Sequence, residues 1–282
     1  MDTLTLQSTI RMNNGVEIPR FGLGTFQSKA GEETYNAVRW ALEMGYRHID
    51  TAALYGNEED VGRAIADSGI PREEIFLVTK VWNDDQGYES TLRALEASLR
   101  HLKTDYVDLY LIHWPVKGLR HETWKAMVEI YKQGKARAVG VSNYTIRHLE
   151  ELLSNTELVP AANQIEFSPF LYRKALLEYC VQHGIVVEAY SPLARAQKLE
   201  DPRLTAMAQK YGKTPAQIAL RWALQHDLVV IPKSVRKERI LENASIFDFE
   251  LSAEDMAEMD TWNEDYWTIS ESYNPECSPR WE

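Results

Sequence analysis

The chain has 282 residues, 44% hydrophobic and 26% charged, which is ordinary usage for a soluble globular protein and indicates neither a disordered nor a fibrous class. Its formal charge of −11 argues against nucleic acid or an anionic membrane as the main partner, and obliges any anionic cofactor to find a local basic patch. Two cysteines, Cys180 and Cys277, provide no metal-ligand cluster and no disulfide framework, and they suit a reducing compartment. Met1 to Ser8 lacks the basic start and apolar run of a leader, and no later stretch reaches the roughly 20 apolar residues of a membrane span. A cytoplasmic protein is expected, with no obligate protein partner and therefore a monomer.

Asn13-Asn14-Gly15 between Ile10 and Ile18 is a tight-turn signal, which predicts a small hairpin plugging one end of the fold. Phe21 to Phe26 reads as a short strand with glycines. A helix follows over about 32–44, with Val38, Ala41 and Leu42 on one side and Gly45 as its stop. Strand and helix then alternate. Strands end near residues 50, 80, 113, 141, 165, 190 and 231, and helical patterns lie near 57–67, 88–101, 121–133, 145–154, 172–183, 202–225 and 236–245. Runs such as Val107 to Ile112 and Ile185 to Ala189 lack polar alternation, as strands covered on both faces do. Counting the first strand, eight βα units predict an α/β fold of the closed (β/α)8 (TIM) barrel type rather than an open doubly wound sheet. Without a Gly/Ser-rich linker or compositional break, residues 1–282 read as one domain.

The stretch 202–225 is broken at Gly212 and Pro215, where Thr214 is placed to cap a new helix. Ser252-Ala253-Glu254-Asp255 opens a final helix to about 259. From Thr261 to Glu282 the chain carries Trp262, Tyr266, Trp267, Tyr273 and Trp281 without helical period, so an aromatic tail over one end of the barrel is expected.

Four chemistry-bearing side chains stand at strand exits. Gly45 to Tyr55 reads as a short strand ending in Asp50, with Tyr46, His48 and Asp50 on one face, followed by a small-residue turn that presents Tyr55. Phe76, Val78 and Lys80 share a face of the next strand, which finishes on an amine, and Tyr106 to His113 finishes on an imidazole. In a closed parallel sheet these ends converge on one rim, where barrel enzymes place their catalysts. Taken singly, a packed tyrosine, a capping aspartate and a loop histidine are ordinary structural features. Together, in order and each at a strand exit, they point to catalysis, and the family resemblance given below makes that reaction the reduction of a carbonyl. A phenol with a pKa of roughly 10 needs a neighbouring cation to act as an acid. Lys80 supplies that charge, Asp50 can hold Lys80, and His113 can donate to the carbonyl oxygen. The hydride must come from a cofactor.

The blocks GYRHIDTAALYGNE (45–58), FLVTKVW (76–82) and DLYLIHWP (108–115) resemble the aldo-keto reductases, and Asp50, Tyr55, Lys80 and His113 match their catalytic tetrad. The resemblance continues through VGVSNY (139–144), NQIEFSP (163–169), AYSPL (189–193) and IPKSV (231–235), nearly end to end. It is nearest in character to short-looped microbial members, similar to diketogluconate reductases and prostaglandin F synthase-like reductases. The resemblance implies NADPH/NADP+ as cofactor and a small carbonyl compound as substrate: aldehydes, small ketones and α-dicarbonyls.

No Gly-x-Gly-x-x-Gly follows a strand, so a Rossmann site is disfavoured. The resemblance places the nicotinamide carboxamide at Ser142, Asn143 and Gln164, its ring on Tyr190, and further cofactor contacts at Ser191, Leu193 and Val235. Ile231 to Arg239 is the basic patch an acidic protein needs; it ends a strand and opens a helix, a position that favours an anion. Lys233, Ser234, Arg236 and Arg239 there could surround a 2′-phosphate. Glu242 and Asn243, one turn on, match the family's adenine contacts. Phe26, Trp82 and Trp114 follow strand ends and are expected to wall the substrate pocket, and the short segments 117–121 and 194–200 predict an open one. Three positions depart from the family pattern: Ser168 where histidine is common, Ala194 where glycine is, and Arg195, a charge placed to supplement phosphate binding.

Two other classes fit parts of this pattern. One is a reductase-fold NADPH-binding regulatory or structural protein with weak turnover. The other is a metal-dependent barrel hydrolase using His48, Asp50 and His113, although no compact ligand set supports it and no metal is expected.

Overall fold

A computed structural model describes residues 3–282, so Met1 and Asp2 of the Met1 to Ser8 stretch lie outside the described residues. Thr9–Arg11 (β1) and Glu17–Pro19 (β2) pair antiparallel with Ile10 opposite Ile18. Gly15 in the connecting turn has φ 86°, which a residue with a Cβ rarely adopts. Eight further strands follow: Leu23–Gly24 (β3), His48–Asp50 (β4), Phe76–Val81 (β5), Val107–Ile112 (β6), Ala136–Ser142 (β7), Ala162–Glu166 (β8), Val186–Tyr190 (β9) and Val229–Val230 (β10). They pair in parallel, each with its chain neighbour. The sheet closes on itself: Gly22 N–H donates to the Val230 carbonyl (3.0 Å), Val230 N–H to Arg20 (2.8 Å) and Gly24 N–H to Pro232 (3.2 Å). The result is a (β/α)8 barrel.

Helices Glu32–Glu43 (α1), Glu58–Asp67 (α2), Tyr88–Leu102 (α3), Arg120–Lys132 (α4), Ile146–Leu153 (α5), Lys174–Gln182 (α6), Pro202–Tyr211 (α7), Pro215–Gln225 (α8), Lys237–Ala244 (α9) and Ala253–Asp260 (α10) accompany the strands. The expected break in the 202–225 stretch is present. Gly212 is left-handed at φ 63°, and Thr214 caps α8, accepting from Gln217 N–H while the Gln217 side chain accepts from Thr214 N–H. No helix among the described residues is long and apolar enough to cross a membrane.

Two apolar clusters divide the interior. One lies between sheet and helices and includes Ile49, Leu77, Tyr110 and Ile165 with Val38, Leu95 and Trp222. The other fills the barrel itself with Phe76, Val78, Leu109, Leu111, Ala138 and Val229, and joins Met12 and Ile18 of the hairpin. The hairpin therefore stoppers the amino end of the barrel, and the polar side chains that line the cavity sit at the carboxyl end. Tyr46 departs from its expected place beside His48 and Asp50. It precedes β4, so strand alternation does not govern it, and it lies in the outer layer with its hydroxyl donating to the Ile240 carbonyl (2.8 Å).

The aromatic tail runs over the carboxyl end. Trp281 stacks on Trp114 at 5.0 Å between ring centres and Tyr273 meets Trp114 edge-on at 5.3 Å. His148 Nε2 donates to the Trp281 carbonyl (2.7 Å), as does Arg120 (3.1 Å), which ties the tail to α4 and α5.

Close helix packing rests on Gly62, where a Cβ would stand 2.4 Å from the Leu102 carbonyl oxygen at the end of α3. Gly62→Ala must push α2 off α3 and is expected to lower unfolding free energy by about 1–3 kcal/mol, as overpacked core sites do. Urea denaturation checks this; an unchanged midpoint would refute the close contact.

Candidate active site

The carboxyl ends of the strands open into a cavity of about 1060 Å³. Asp50, Tyr55 and His113 line it, and Lys80 lies behind them with no exposed surface. The adjacency of β4 and β5 is what joins Asp50 to Lys80. Asp50 is opposite Val78, so Lys80, two residues further along the same face, reaches it from above. Lys80 Nζ donates to Asp50 Oδ1 (2.7 Å) and Oδ2 (2.9 Å) and to the Thr51 carbonyl (2.9 Å), and lies 3.4 Å from the Tyr55 hydroxyl. Burial alone would pull the Lys80 ammonium down, but Asp50 and Tyr55 hold it above its ordinary value, so the lysine is charged.

Tyr55 ends a single helical turn, Ala53–Tyr55, closed by Gly56 at φ 65°. The buried Asn57 locks that turn, accepting from Thr51 Oγ1 (2.8 Å) and donating to the carbonyls of Thr25 (3.0 Å) and Ser28 (3.1 Å). Burial raises the Tyr55 phenol, and the Lys80 charge opposes that rise. His113 stands edge-on to Tyr55 at 5.8 Å and to Trp82 at 5.2 Å between ring centres. Burial, and then the Lys80 charge, press its imidazole well below the usual range, so His113 is neutral. Its Nδ1 is buried without a partner among the described residues.

Every cofactor and substrate residue expected from the sequence lines this cavity. Ser142 Oγ donates to the Gln164 carbonyl (2.8 Å), and Asn143 donates to the His113 carbonyl (3.0 Å) and accepts from the Tyr190 hydroxyl (2.8 Å). Ser191 and Leu193 continue the wall from β9, and Lys233, Ser234, Val235, Arg236, Arg239, Glu242 and Asn243 form its far side from β10 into α9. Phe26, Trp82 and Trp114 wall the Tyr55 side, with Phe26 5.1 Å from the Tyr55 ring. Lys233 and Arg239 make no ion pair among the described residues, although the chain is acidic overall. Arg236 has one, to Glu238 at 3.4 Å. A patch of cations left free beside a helix start suits a phosphate.

The structure adds residues that the sequence reading missed. Gln27, Leu54, Leu199, Thr214, Ile269 and Tyr273 also line the cavity. They come from loops, single helical turns and a helix cap, too short for periodicity to signal direction. Backbone strain collects here as well: Gln27, Asn143, Ser191, Ala194, Arg195 and Ala196 all have φ between 47° and 65°. Ala194 holds without glycine the conformation its neighbours share, and Arg195 reaches over Phe26, its guanidinium 5.6 Å from the ring centre. Among the described residues no three His, Cys, Asp or Glu side chains are grouped to hold a metal ion.

A (β/α)8 barrel with Asp, Lys, Tyr and His gathered at the carboxyl rim defines a class of barrel oxidoreductase sites. The aldo/keto reductase family model matches residues 20–264. The chain is 54% identical over 261 residues to a glyoxal reductase of Bacillus subtilis (strain 168), covering 93% of this chain and 95% of that one. It is 44% identical over 256 residues to a methylglyoxal reductase of Escherichia coli (strain K12), covering 89% and 92%. A crystal structure of a Bombyx mori aldo-keto reductase in complex with NADP superposes with a TM-score of 0.91 at 39% identity, covering 99% of each chain. The chain belongs to the aldo/keto reductase family.

Removing the cation is the sharpest test of the buried pair. Lys80→Met leaves the buried Asp50 without its cation, and is expected to cost about 3–5 kcal/mol of stability, as breaking a buried ion pair does. Thermal and urea unfolding measure it. A loss below the range of surface substitutions would show that Asp50 does not rely on Lys80.

Proposed function

We propose that this protein is an NADPH-dependent reductase of aldehydes, small ketones and α-dicarbonyls, with Tyr55 as general acid. The observation that carries the proposal is the Tyr55 hydroxyl at 3.4 Å from Lys80 Nζ, at the wall of the cavity, with Lys80 pinned by both oxygens of Asp50. The names of the relatives, a glyoxal and a methylglyoxal reductase, support small α-dicarbonyls in particular. The same reading takes the chain as one barrel domain acting as a cytoplasmic monomer.

The residues fit the cofactor. Ser142, Asn143 and Gln164 offer hydroxyl and amide groups for the nicotinamide carboxamide, Tyr190 offers a flat face for the ring, and Ser191, Leu193 and Val235 flank them. Lys233, Ser234, Arg236 and Arg239 supply charge and hydrogen bonds for a 2′-phosphate, and Glu242 and Asn243 lie one turn on for the adenine. Arg195, at the same wall, adds a cation for the pyrophosphate. When bound, the reduced nicotinamide supplies the hydride.

The protein's own residues handle the oxygen. Tyr55 gives its proton to the carbonyl oxygen as negative charge develops there, and Lys80 stabilises the phenolate left behind. Asp50 keeps Lys80 charged and aimed. His113, neutral, donates a hydrogen bond that orients the carbonyl against Tyr55. Phe26, Trp82 and Trp114 exclude water and hold the apolar part of the substrate.

Tyr55→Phe is expected to remove nearly all reduction of methylglyoxal while NADPH still quenches protein fluorescence with the wild-type affinity; undiminished turnover would overturn the acid assignment. In the wild type, kcat/KM for reduction should show no histidine inflection near pH 6.5, because His113 is already neutral there, and should fall only at alkaline pH as Tyr55 loses its proton. Arg239→Ala should weaken NADPH far more than NADH, by roughly tenfold or more for one lost charge-assisted contact. Equal losses for the two cofactors would remove Arg239 from the phosphate site.

A further inference from the structure

Beneath the Asp50–Lys80 pair lies a second carboxyl that the proposed chemistry does not use. Glu188, on β9, and His48, on β4, are both fully buried inside the barrel. Their nearest atoms, Glu188 Oε1 and His48 Nε2, lie 3.5 Å apart, and each is without another hydrogen-bond partner among the described residues. His48 Nδ1 faces the Pro19 carbonyl at 3.1 Å, which only accepts, so Nδ1 carries the imidazole proton and Nε2 is a bare acceptor. The two orphaned atoms need one proton between them.

Gln164 joins this pair to the site above. Its side-chain nitrogen donates to Asp50 Oδ2 (2.8 Å) and to Glu188 Oε2 (3.1 Å). Asp50 is ionised against Lys80 and accepts only, so the Gln164 atom facing it must be the NH2 group. With both N–H bonds taken by the two carboxyls, the Gln164 carbonyl oxygen is the one group it can offer to a ligand in the cavity it lines.

We propose that Glu188 is a neutral carboxylic acid sharing its proton with His48 and, through Gln164, a positioning residue that turns the Gln164 carbonyl toward an amide N–H donor. In the reductase reading, on which this role rests, that donor is the cofactor's carboxamide. Burial favours it. Asp50 and Lys80 already pair, so an ionised Glu188 would put a further carboxylate beside Asp50, either alone or against a buried imidazolium, and both forms hold more charge out of water than the neutral pair does. Burial first, and then Asp50, push the Glu188 carboxyl well above the usual range, against Gln164 and Lys80, while burial brings His48 down to about 4, against Asp50, Asp108 and the Pro19 carbonyl. Gly22 makes room for the arrangement, since a Cβ there would stand 2.7 Å from the His48 ring.

Glu188→Gln keeps the donor and acceptor pattern of a neutral acid, with its amide donating to His48 and its oxygen accepting from Gln164. Glu188→Leu removes both. Expected are an NADPH Kd within about twofold of wild type for Glu188→Gln and a loss of about tenfold for Glu188→Leu, with kcat moving less than affinity. Two measurements need no ligand. An infrared difference spectrum, wild type minus Glu188→Gln, should contain the C=O stretch of a protonated carboxyl at neutral pH. Folded Glu188 keeps its proton where unfolded Glu188 loses it, so the contribution of Glu188 to wild-type stability falls as pH rises from the ordinary carboxylate range toward the raised value, and the comparison with Glu188→Gln isolates it from the buried histidines, which are common to both. Glu188→Gln should therefore match wild type in acid and exceed it at neutral pH. A missing protonated band, or a Glu188→Gln variant less stable than wild type at neutral pH, would overturn the neutral acid. Equal NADPH affinity in wild type and Glu188→Leu would overturn the positioning role, as would a Glu188→Gln loss of tenfold. If Glu188→Leu does not fold, the Glu188→Gln affinity decides that role. A wild type that binds no NADPH would instead sink the reductase reading, and the infrared and stability results would still decide the protonation of Glu188.

Discussion

Lys80 and Asp50 face each other out of water at the mouth of the barrel, and the rest of the site is arranged to make that tolerable. Two ions removed from solvent hold together only if their remaining hydrogen-bonding capacity is met. Here the ammonium is satisfied by two carboxylate oxygens and the Thr51 carbonyl, and the carboxylate takes a further bond from Gln164. Parallel pairing of β4 with β5 puts Lys80 two residues above Asp50 on the same face, within reach of it, and only a closed sheet can also bring Gln164 from β8 against Asp50 from across the barrel. Tyr55 then needs only a short turn, braced by Asn57, to place its hydroxyl beside the cation.

The barrel interior is accordingly built in two layers. The amino end is apolar and stoppered by Met12 and Ile18 of the hairpin, while the carboxyl end carries every interior charge described above. An apolar floor under a polar rim lowers the effective dielectric around the ion pair, which strengthens it and makes any unpaired charge there more costly. Glu188 and His48 mark the boundary between the layers, and their shared proton keeps that boundary uncharged. Above the rim, the segments that wall the cavity hold left-handed non-glycine residues, from Gln27 to Ala196, so the rigid sheet supports loops that are themselves strained into shape.

Much of this was legible in the linear chain, because the barrel repeats one rule. Chemistry stands at or just past the carboxyl ends of several strands, so Asp50, Lys80 and His113 announce themselves by position and type. The break at Gly212 and the cap at Thr214 were equally readable, since both are local. Tyr46 misled because alternation was extended back past the start of β4. Gln27 and Ile269 were invisible because they line the cavity from segments with no period, while Tyr273 was expected only as part of a tail over one end. Glu188 stood in a run of apolar strand residues with nothing local to distinguish a buried acid from a strand-end contact, and its partner His48 is 140 positions away.

By itself the sequence determined the alternation of strands and helices, the residue types at the strand exits and the basic run after β10, all of which depend on neighbours in the chain. Tertiary structure decided which of those residues meet. Closure of the sheet sets Gln164 against Asp50, and packing of α9 beside the mouth leaves Lys233 and Arg239 facing the cavity without acidic partners among the described residues. The tail's return lays Trp281 on Trp114. These are contacts between segments far apart along the chain, and their geometry follows from the curvature of one closed sheet, which no local pattern encodes.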